Sequence, residues 1–288
     1  MEMMNLVTSP FGIGEKVIFE LLKRGETVFT IFISPKDVPM SFLGKINLKY
    51  GFLKFDHELN IGKILPKKIK NIFHLYEAYT GALPNLFKSN TLATLLLLDW
   101  AKSSSVSKFI YLSSGEVYGQ GQALRENSAY NPRSFYATTK FEAEILLRFY
   151  KSFEINTVRL FFPFGRDLNQ GYMANLVQSI QSDNPVETEY GVIAPTFIDD
   201  VIEPLIKIRE IKGNQIFNIC GGSIQVSALI NEISEIYNKA PKNVKIGKTE
   251  LFGDNAKAKE LLGYKETPLQ EALRSCFEKK HANNRRSE

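Results

Sequence analysis

Apolar positions along the chain fall into short β-branched or aromatic runs, separated by stretches with helical spacing. This is the alternation of a sheet whose strands are linked by helices. Residues 5–8 predict a first strand, and the loop Ser9-Pro10-Phe11-Gly12-Ile13-Gly14 feeds a helix over 15–24 that Gly25 ends. Residues 27–33 are strongly β-prone, 46–55 predict a third strand and 71–75 a fourth. Over 90–103 the side chains of Leu92, Leu95, Leu96, Leu97 and Trp100 cover more than one stripe, which predicts a helix buried on several sides. Phe109, Ile110, Tyr111 and Leu112 form an apolar run that stops at Ser113 and Ser114, as in a buried parallel strand ending in a polar turn. Ser134 is placed to cap the following helix, and 156–161 predicts the next strand. The order predicts an α/β chain with a mostly parallel, doubly wound sheet and helices on both faces.

At 288 residues, 44% hydrophobic and 23% charged, the chain can bury a sizeable core and is neither disordered nor fibrous. The net charge of +5 is mild and sits partly in the terminal residues 279–288, which read as a solvated tail. Nucleic acid is therefore not an expected partner. Two cysteines, Cys220 and Cys276, without a CxxC pair and with three histidines, argue against a disulfide scaffold or a metal site and fit a reducing cytoplasm. The first ten residues lack the basic and apolar regions of a signal peptide, and residues 92–100 are too short to span a bilayer.

Candidate chemistry concentrates in residues 108–140. Carboxyl ends of parallel strands collect ligands in open α/β sheets, which draws attention to Ser114. Tyr136 and Lys140 lie four residues apart and leave the same face of their helix. A free phenol titrates near ~10, and an adjacent ammonium favours the phenolate; reaching about 7 takes roughly 4 kcal/mol. On that reading Tyr136 acts as an acid/base near neutral pH. His74 reads as a packed structural residue.

Three segments in this order, Ser113-Ser114-Gly115-Glu116-Val117-Tyr118-Gly119, Tyr136-x-x-x-Lys140 and Val158-Arg159-Leu160-Phe161-Phe162-Pro163-Phe164-Gly165, resemble the extended short-chain dehydrogenase/reductases, the family of nucleotide-sugar epimerases and dehydratases. Residues 195–201, 215–222 and 254–264 carry later elements of the same pattern, so the resemblance covers nearly the whole chain. It implies a Rossmann-type fold, with a cofactor domain over 1–165 to which 192–219 returns. A small mixed substrate lobe is expected from 166–191 and 220–288. It implies NAD or NADP as cofactor, held around Thr8, Phe11, Gly12, Ile13, Gly14, Ser34, Lys36, Phe52, Tyr76, Tyr136, Lys140 and Phe162. A nucleotide sugar would meet Thr80, Ser114, Glu116 and Phe162. In these roles Tyr136 moves the hydroxyl proton, Lys140 holds the nicotinamide ribose, and Ser114 hydrogen-bonds the reacting oxygen.

The chain departs from the family pattern at several of these positions. Val7 and Thr8 stand where a Thr and the first Gly of the glycine motif belong, and Phe52 replaces an adenine-binding aspartate. Tyr76 and Glu77 replace two small residues, and Phe162 replaces an asparagine. Ser34-Pro35-Lys36 lacks the acidic ribose ligand of NAD-preferring relatives and suits NADP at least as well. Dehydratases of the family carry an acidic pair after the catalytic Ser or Thr, whereas Ser114-Gly115-Glu116 keeps only the glutamate. The expected activity is a 4-epimerase or 4-keto-reductase. The alternatives are a 4,6-dehydratase using Glu116, or a catalytically degenerate nucleotide-binding member. The helices at 90–103 and after Ser134 are expected to pair with a second copy as a homodimer.

Overall fold

Seven parallel strands form the centre of the molecule, in the spatial order 48–52, 28–32, 4–7, 69–74, 108–114, 154–160 and 215–219. The computed structural model describes residues 3–53, 61–166 and 168–278. The expected solvated tail at 279–288, and positions 54–55 of the expected third strand, lie outside the described residues. In chain order the elements begin β1 (Met4–Val7), α1 (Ile13–Lys23), β2 (Val28–Phe32), β3 (Leu48–Phe52) and β4 (Ile69–His74). Then come α2 (Leu83–Phe87), α3 (Ala93–Lys102), β5 (Lys108–Ser114), β6 (Gly121–Leu124), α4 (Phe135–Leu147) and β7 (Glu154–Leu160). They continue with β8 (Pro163–Phe164), α5 (Tyr172–Gln181), β9 (Pro185–Ile193), β10 (Thr196–Phe197), α6 (Asp199–Lys207) and β11 (Gln215–Ile219). The last are β12 (Ile224–Gln225), α7 (Val226–Tyr237), β13 (Lys242–Gly253), α8 (Ala256–Leu262) and α9 (Leu269–Phe277).

Alternation along the central strands explains both layers of core. Leu6, Ile31, Ile72 and Phe109 pack into one apolar cluster. Their successors Val7, Phe32, Phe73 and Ile110 pack into another. Neighbouring residues of a strand point to opposite faces, so such strands are apolar throughout because helices cover both sides. A third cluster, which includes Phe162, Met173, Tyr190, Leu229 and Leu273, fills a lobe built on the four-stranded sheet β12-β9-β13-β6. Ala258, Leu262 and Tyr264 return to the core of the large sheet.

The strand order reverses between β1 and β4, and the crevice above their carboxyl ends is where such folds place a ligand. The helix expected to start at Asn90 in fact starts with α2, runs through a π turn at Lys88–Leu92 and continues as α3. Pro84 in the first turn of α2 suits a helix start, because its missing N–H has no intrahelical partner there. Ser134 caps α4 as the sequence predicts, its hydroxyl accepting from the Ala137 amide at 3.0 Å.

A second feature of α4 was not legible as a motif. Glu144, on its buried face, takes both charged hydrogen bonds of Arg159 from β7, at 3.0 and 2.7 Å. Arg159 is fully buried and also donates to Tyr118, Tyr130 and the Glu126 carbonyl, so every part of its guanidinium fork is engaged. Removing one member of a buried ion pair strands the other charge, at a cost of about 3–5 kcal/mol. Arg159→Met is expected to lower stability by that amount in urea unfolding, while Arg159→Met with Glu144→Leu recovers most of it. A single variant within about 1 kcal/mol of wild type would mean that the pair is not a structural anchor.

Candidate active site

The loop after β4 is held by a chain of hydrogen bonds that settles its own proton positions. Thr8 Oγ1 accepts from the amides of Leu75 and Tyr76, both at 3.0 Å, so its hydroxyl proton points at His74 Nδ1, 3.0 Å away. His74 Nε2 then donates to Thr94 Oγ1 at 2.9 Å, which donates to the Asn90 carbonyl at 2.6 Å. Burial, followed by the charge of Lys140, pushes the His74 pKa down to about 3, so the ring stays neutral. The asparagine side chain exchanges two hydrogen bonds with the backbone of Ala78, at 2.8 and 2.9 Å, and donates to Thr139 of α4. Thr8 is therefore buried with its hydroxyl engaged in holding this loop, and His74 is the packed residue the sequence predicts.

That pinned loop delivers Glu77 to α4. Glu77 Oε2 accepts from Tyr136 Oη at 3.0 Å and from Lys140 Nζ at 2.9 Å. The ammonium is 1% exposed, donates also to the Leu112 carbonyl at 2.6 Å, and sits 4.8 Å from the centre of the Tyr111 ring. Burial is the largest single influence and lowers the Lys140 pKa, but Glu77 and Tyr111 together outweigh it and the net direction is upward. Tyr136 departs from expectation. Burial, then the charges of Glu77 and Glu116, hold its pKa well above the ordinary phenol value. The ammonium does not produce a phenolate at rest because Glu77 already neutralises it.

Ser114 and Glu116 lie where β5 ends. Ser114 Oγ accepts from the Glu116 amide at 3.1 Å, which leaves the hydroxyl proton to donate elsewhere. Tyr79 Oη donates to Glu116 Oε1 at 3.4 Å, and the Tyr79 ring packs 4.6 Å from that of Tyr136. Burial and the neighbouring Glu77 charge raise the Glu116 pKa to about 7. The structure thus gathers Tyr136, Lys140 and Glu116 beside Glu77 and Tyr79, neither of which sequence reasoning placed in the chemistry. The signal for Glu77 was its replacement of a small residue beside the expected cofactor groove.

On the cofactor side the outcome is mixed. Gly12, at φ +55°, is the N-cap of α1, and a Cβ on Gly14 would stand 1.8 Å from the Ser9 carbonyl oxygen, so the tight turn requires both glycines. The side chain of Leu168 lies over Gly12, and Ile13 faces the core. Phe11 and Phe52 are half-exposed at the ends of β1 and β3, in an aromatic series with Phe32 and Tyr50. Ser34 caps a short turn in which its amide donates to Asp37 at 2.9 Å, while Lys36 is exposed. An acidic residue, Asp37, does stand beyond β2, directly after the Ser34-Pro35-Lys36 segment. Tyr76 reaches Ser89 at 3.5 Å, and Thr80 is exposed. Phe162 is buried in the lobe against Tyr172 and Tyr190, with φ +41°. Among the described residues there is no cluster of metal-binding side chains, and no helix is long and apolar enough to cross a membrane.

A model of the NAD dependent epimerase/dehydratase family matches residues 13–220. The chain is 34% identical over 182 residues to dTDP-D-glucose 4,6-dehydratase of Dictyostelium discoideum, covering 53% of this chain and 42% of that protein. Among solved structures, UDP-glucose 4-epimerase from Thermotoga maritima, with UDP-glucose, superposes with a TM-score of 0.81 at 24% identity, over 96% of this chain and 98% of that one. A variant UDP-glucuronic acid 4-epimerase from Bacillus cereus, in complex with a fluorinated UDP-sugar and NAD, gives 0.82 at 22% identity with the same coverage. At such identities the structural likeness is one of fold.

The raised Glu116 pKa has a stability consequence. The folded chain keeps this proton while the unfolded one has lost it, so stability falls as pH rises from the ordinary carboxyl value of 4.5 through about 7. Glu116→Gln removes that dependence. In urea titrations its stability relative to wild type is expected to increase between pH 4.5 and 8, by at most about 3 kcal/mol. A difference independent of pH would show that Glu116 is not held in a desolvated site.

Proposed function

The chain belongs to the NAD dependent epimerase/dehydratase family, and within it we propose a 4-epimerase or 4-keto-reductase acting on a nucleotide-diphosphate sugar. The observation that carries the choice is at Gly115. A Cβ there would stand 2.4 Å from the Phe161 ring, so no acidic side chain fits between Ser114 and Glu116. The carboxylate pair that the resemblance associates with dehydratases is sterically closed to this chain. Glu116 stands without that partner, and its carboxyl accepts from Tyr79 at 3.4 Å.

The family's cofactor, NAD, exchanges a hydride with a sugar carbon when bound. Gly12 and Gly14 at the start of α1 would take its pyrophosphate. The aromatic residues Phe11 and Phe52 offer faces to the adenine, and Asp37 is the carboxylate nearest the expected ribose position in sequence. Ser114 would orient the sugar hydroxyl with its free proton, and Tyr136 would exchange a proton with it. Lys140 keeps a positive charge beneath both. Tyr79, Tyr172, Leu176 and Val186 line a cleft of about 460 Å³ between the two lobes, where the nucleotide would lie.

A second copy of the chain is the partner we assign to the outer face of α2 and α4. Leu83, Phe87, Phe135, Ile145 and Phe149 are exposed there, and Phe149 is 77% exposed. Covering such a face between two copies would bury on the order of 1,200 Å². Ile145→Asp with Phe149→Asp is expected to give monomers in light scattering at micromolar concentration. A wild-type chain that is already monomeric there rules the pairing out.

The reaction is tested by incubating the NAD-loaded protein with UDP-glucose, UDP-glucuronic acid and dTDP-glucose in deuterated water, with nuclear magnetic resonance as readout. Inversion at C4 without deuterium at C5 is expected of an epimerase, a 4-keto-reductase being read instead from NADH consumed with a 4-keto sugar, and Tyr136→Phe should slow either reaction ~10²- to 10⁴-fold with NAD affinity nearly unchanged. Deuterium at C5, lost in Glu116→Gln, would instead establish the dehydratase.

A further inference from the structure

Glu77 stands where a buried acid/base pair meets solvent. Its side chain keeps 30% exposure, against 1% for the Lys140 ammonium and 8% for Tyr136. One oxygen, Oε2, receives both the phenol proton of Tyr136 and a proton of Lys140. We propose that Glu77 is a catalytic residue of this chain, the carboxylate to which Tyr136 hands its proton while it takes the proton of the substrate hydroxyl. This rests on the acid/base role given to Tyr136 above.

The proton count closes. In the oxidising direction the substrate O–H bond breaks and its proton passes to Tyr136 Oη, while the Tyr136 O–H bond breaks and its proton passes to Glu77 Oε2. The electron pair of the substrate O–H bond becomes the second carbon–oxygen bond. The electron pair of the adjacent C–H bond would leave as hydride, for which NAD, the cofactor of the family, would be the acceptor when bound. Tyr136 ends as it began, Glu77 becomes neutral, and Lys140 remains a cation. In the reducing direction the same two protons return. Glu77 exchanges with water because it alone of the three is appreciably exposed.

Charge balance favours this route over a resting phenolate. Lys140 and Tyr136 of α4, Tyr111 of β5, Glu116 beyond β5 and Tyr79 of the same loop are the ionisable groups facing Glu77. A phenolate at Tyr136 would place another negative charge beside Glu77 and, near neutral pH, a partly ionised Glu116, with one ammonium to balance them. Moving a proton along the Tyr136–Glu77 bond as the substrate proton arrives never creates that charge. The low dielectric of the site makes the difference large.

Two readouts test the proposal. Without substrate, the carboxyl carbon resonance of Glu77, identified in glutamate-labelled protein by its loss in Glu77→Gln, is expected to shift between light and heavy water through the Tyr136 hydroxyl and the Lys140 ammonium. Part of that shift should be lost in Tyr136→Phe, the part due to the Lys140 ammonium remaining, and a Glu77 resonance indifferent to Tyr136 overturns the proposal. With substrate, NADH formation is followed from pH 6 to 10 using the NAD-loaded protein and the three sugars named above. Glu77→Gln is expected to be slowed ~10²-fold at pH 7 and to regain rate as pH rises, and formate should restore part of the rate of Glu77→Ala. Variants as fast as wild type at pH 7 overturn it, and leave Glu77 as a counter-ion to Lys140 only. A wild type silent toward every sugar, with the isotope shift present, refutes the sugar reading of the preceding subsection and not the Tyr136–Glu77 pairing.

Discussion

A buried ammonium has to be paired, and in this chain much of the site follows from how Lys140 meets that demand. An isolated charge in a desolvated position costs several kcal/mol, so Lys140 needs both a carboxylate and a neutral acceptor within reach. Glu77 and the Leu112 carbonyl supply them. The carboxylate can be there because the loop that carries it is clamped from both ends. Thr8 holds the amides of Leu75 and Tyr76, and Asn90 holds both backbone groups of Ala78. The π turn at Lys88–Leu92 carries Asn90, an example of a local helical irregularity that serves a site.

The same helix face that holds the chemistry also holds the fold. Tyr136, Lys140 and Glu144 recur at four-residue spacing along α4, and all three are buried. Lys140 donates to the end of β5 at Leu112, and the next turn accepts from Ser113 of the same strand at 2.6 Å while binding Arg159 of β7. α4 is therefore locked onto the strand end by two successive charged contacts. Tyr136, one turn earlier, inherits that rigidity. Positioning of this kind is what an acid/base needs, since small misplacements of a reacting group are costly in rate.

The order and type of the main elements were legible because covered parallel strands leave apolar runs that little else produces. Ser114, Tyr136 and Lys140 were legible for a different reason, as a spacing with a chemical rationale. What escaped were groups whose roles depend on long-range neighbours. Thr8 looked like a damaged glycine position and is the peg for a loop 66 residues away in sequence. Asp37 was overlooked because it stands past a turn that its own side chain stabilises through the Ser34 amide. The phenol pKa of Tyr136 was read from one neighbour, Lys140. Its direction is set by burial and by Glu77 and Glu116, which come from two other loops. Arg159 sat inside the matched run from Val158 to Gly165, with nothing local to mark its partner on α4.

The departures from the family pattern have a common geometric sense. Phe161 fills the space that a side chain at position 115 would need, and Phe162 turns into the lobe against Tyr172 and Tyr190. The aromatic packing beneath the lobe thus removes one polar position after β5 and another after β7. A carboxylate reappears after β4, at Glu77, on the other side of Tyr136. Two carboxylates still act on the phenol, but they reach it from different loops rather than from adjacent residues of one turn. A neighbouring pair in the turn after β5 would face whatever lies above Ser114. The separated pair acts instead on Tyr136 itself, where both charges add to burial in holding the proton on the phenol.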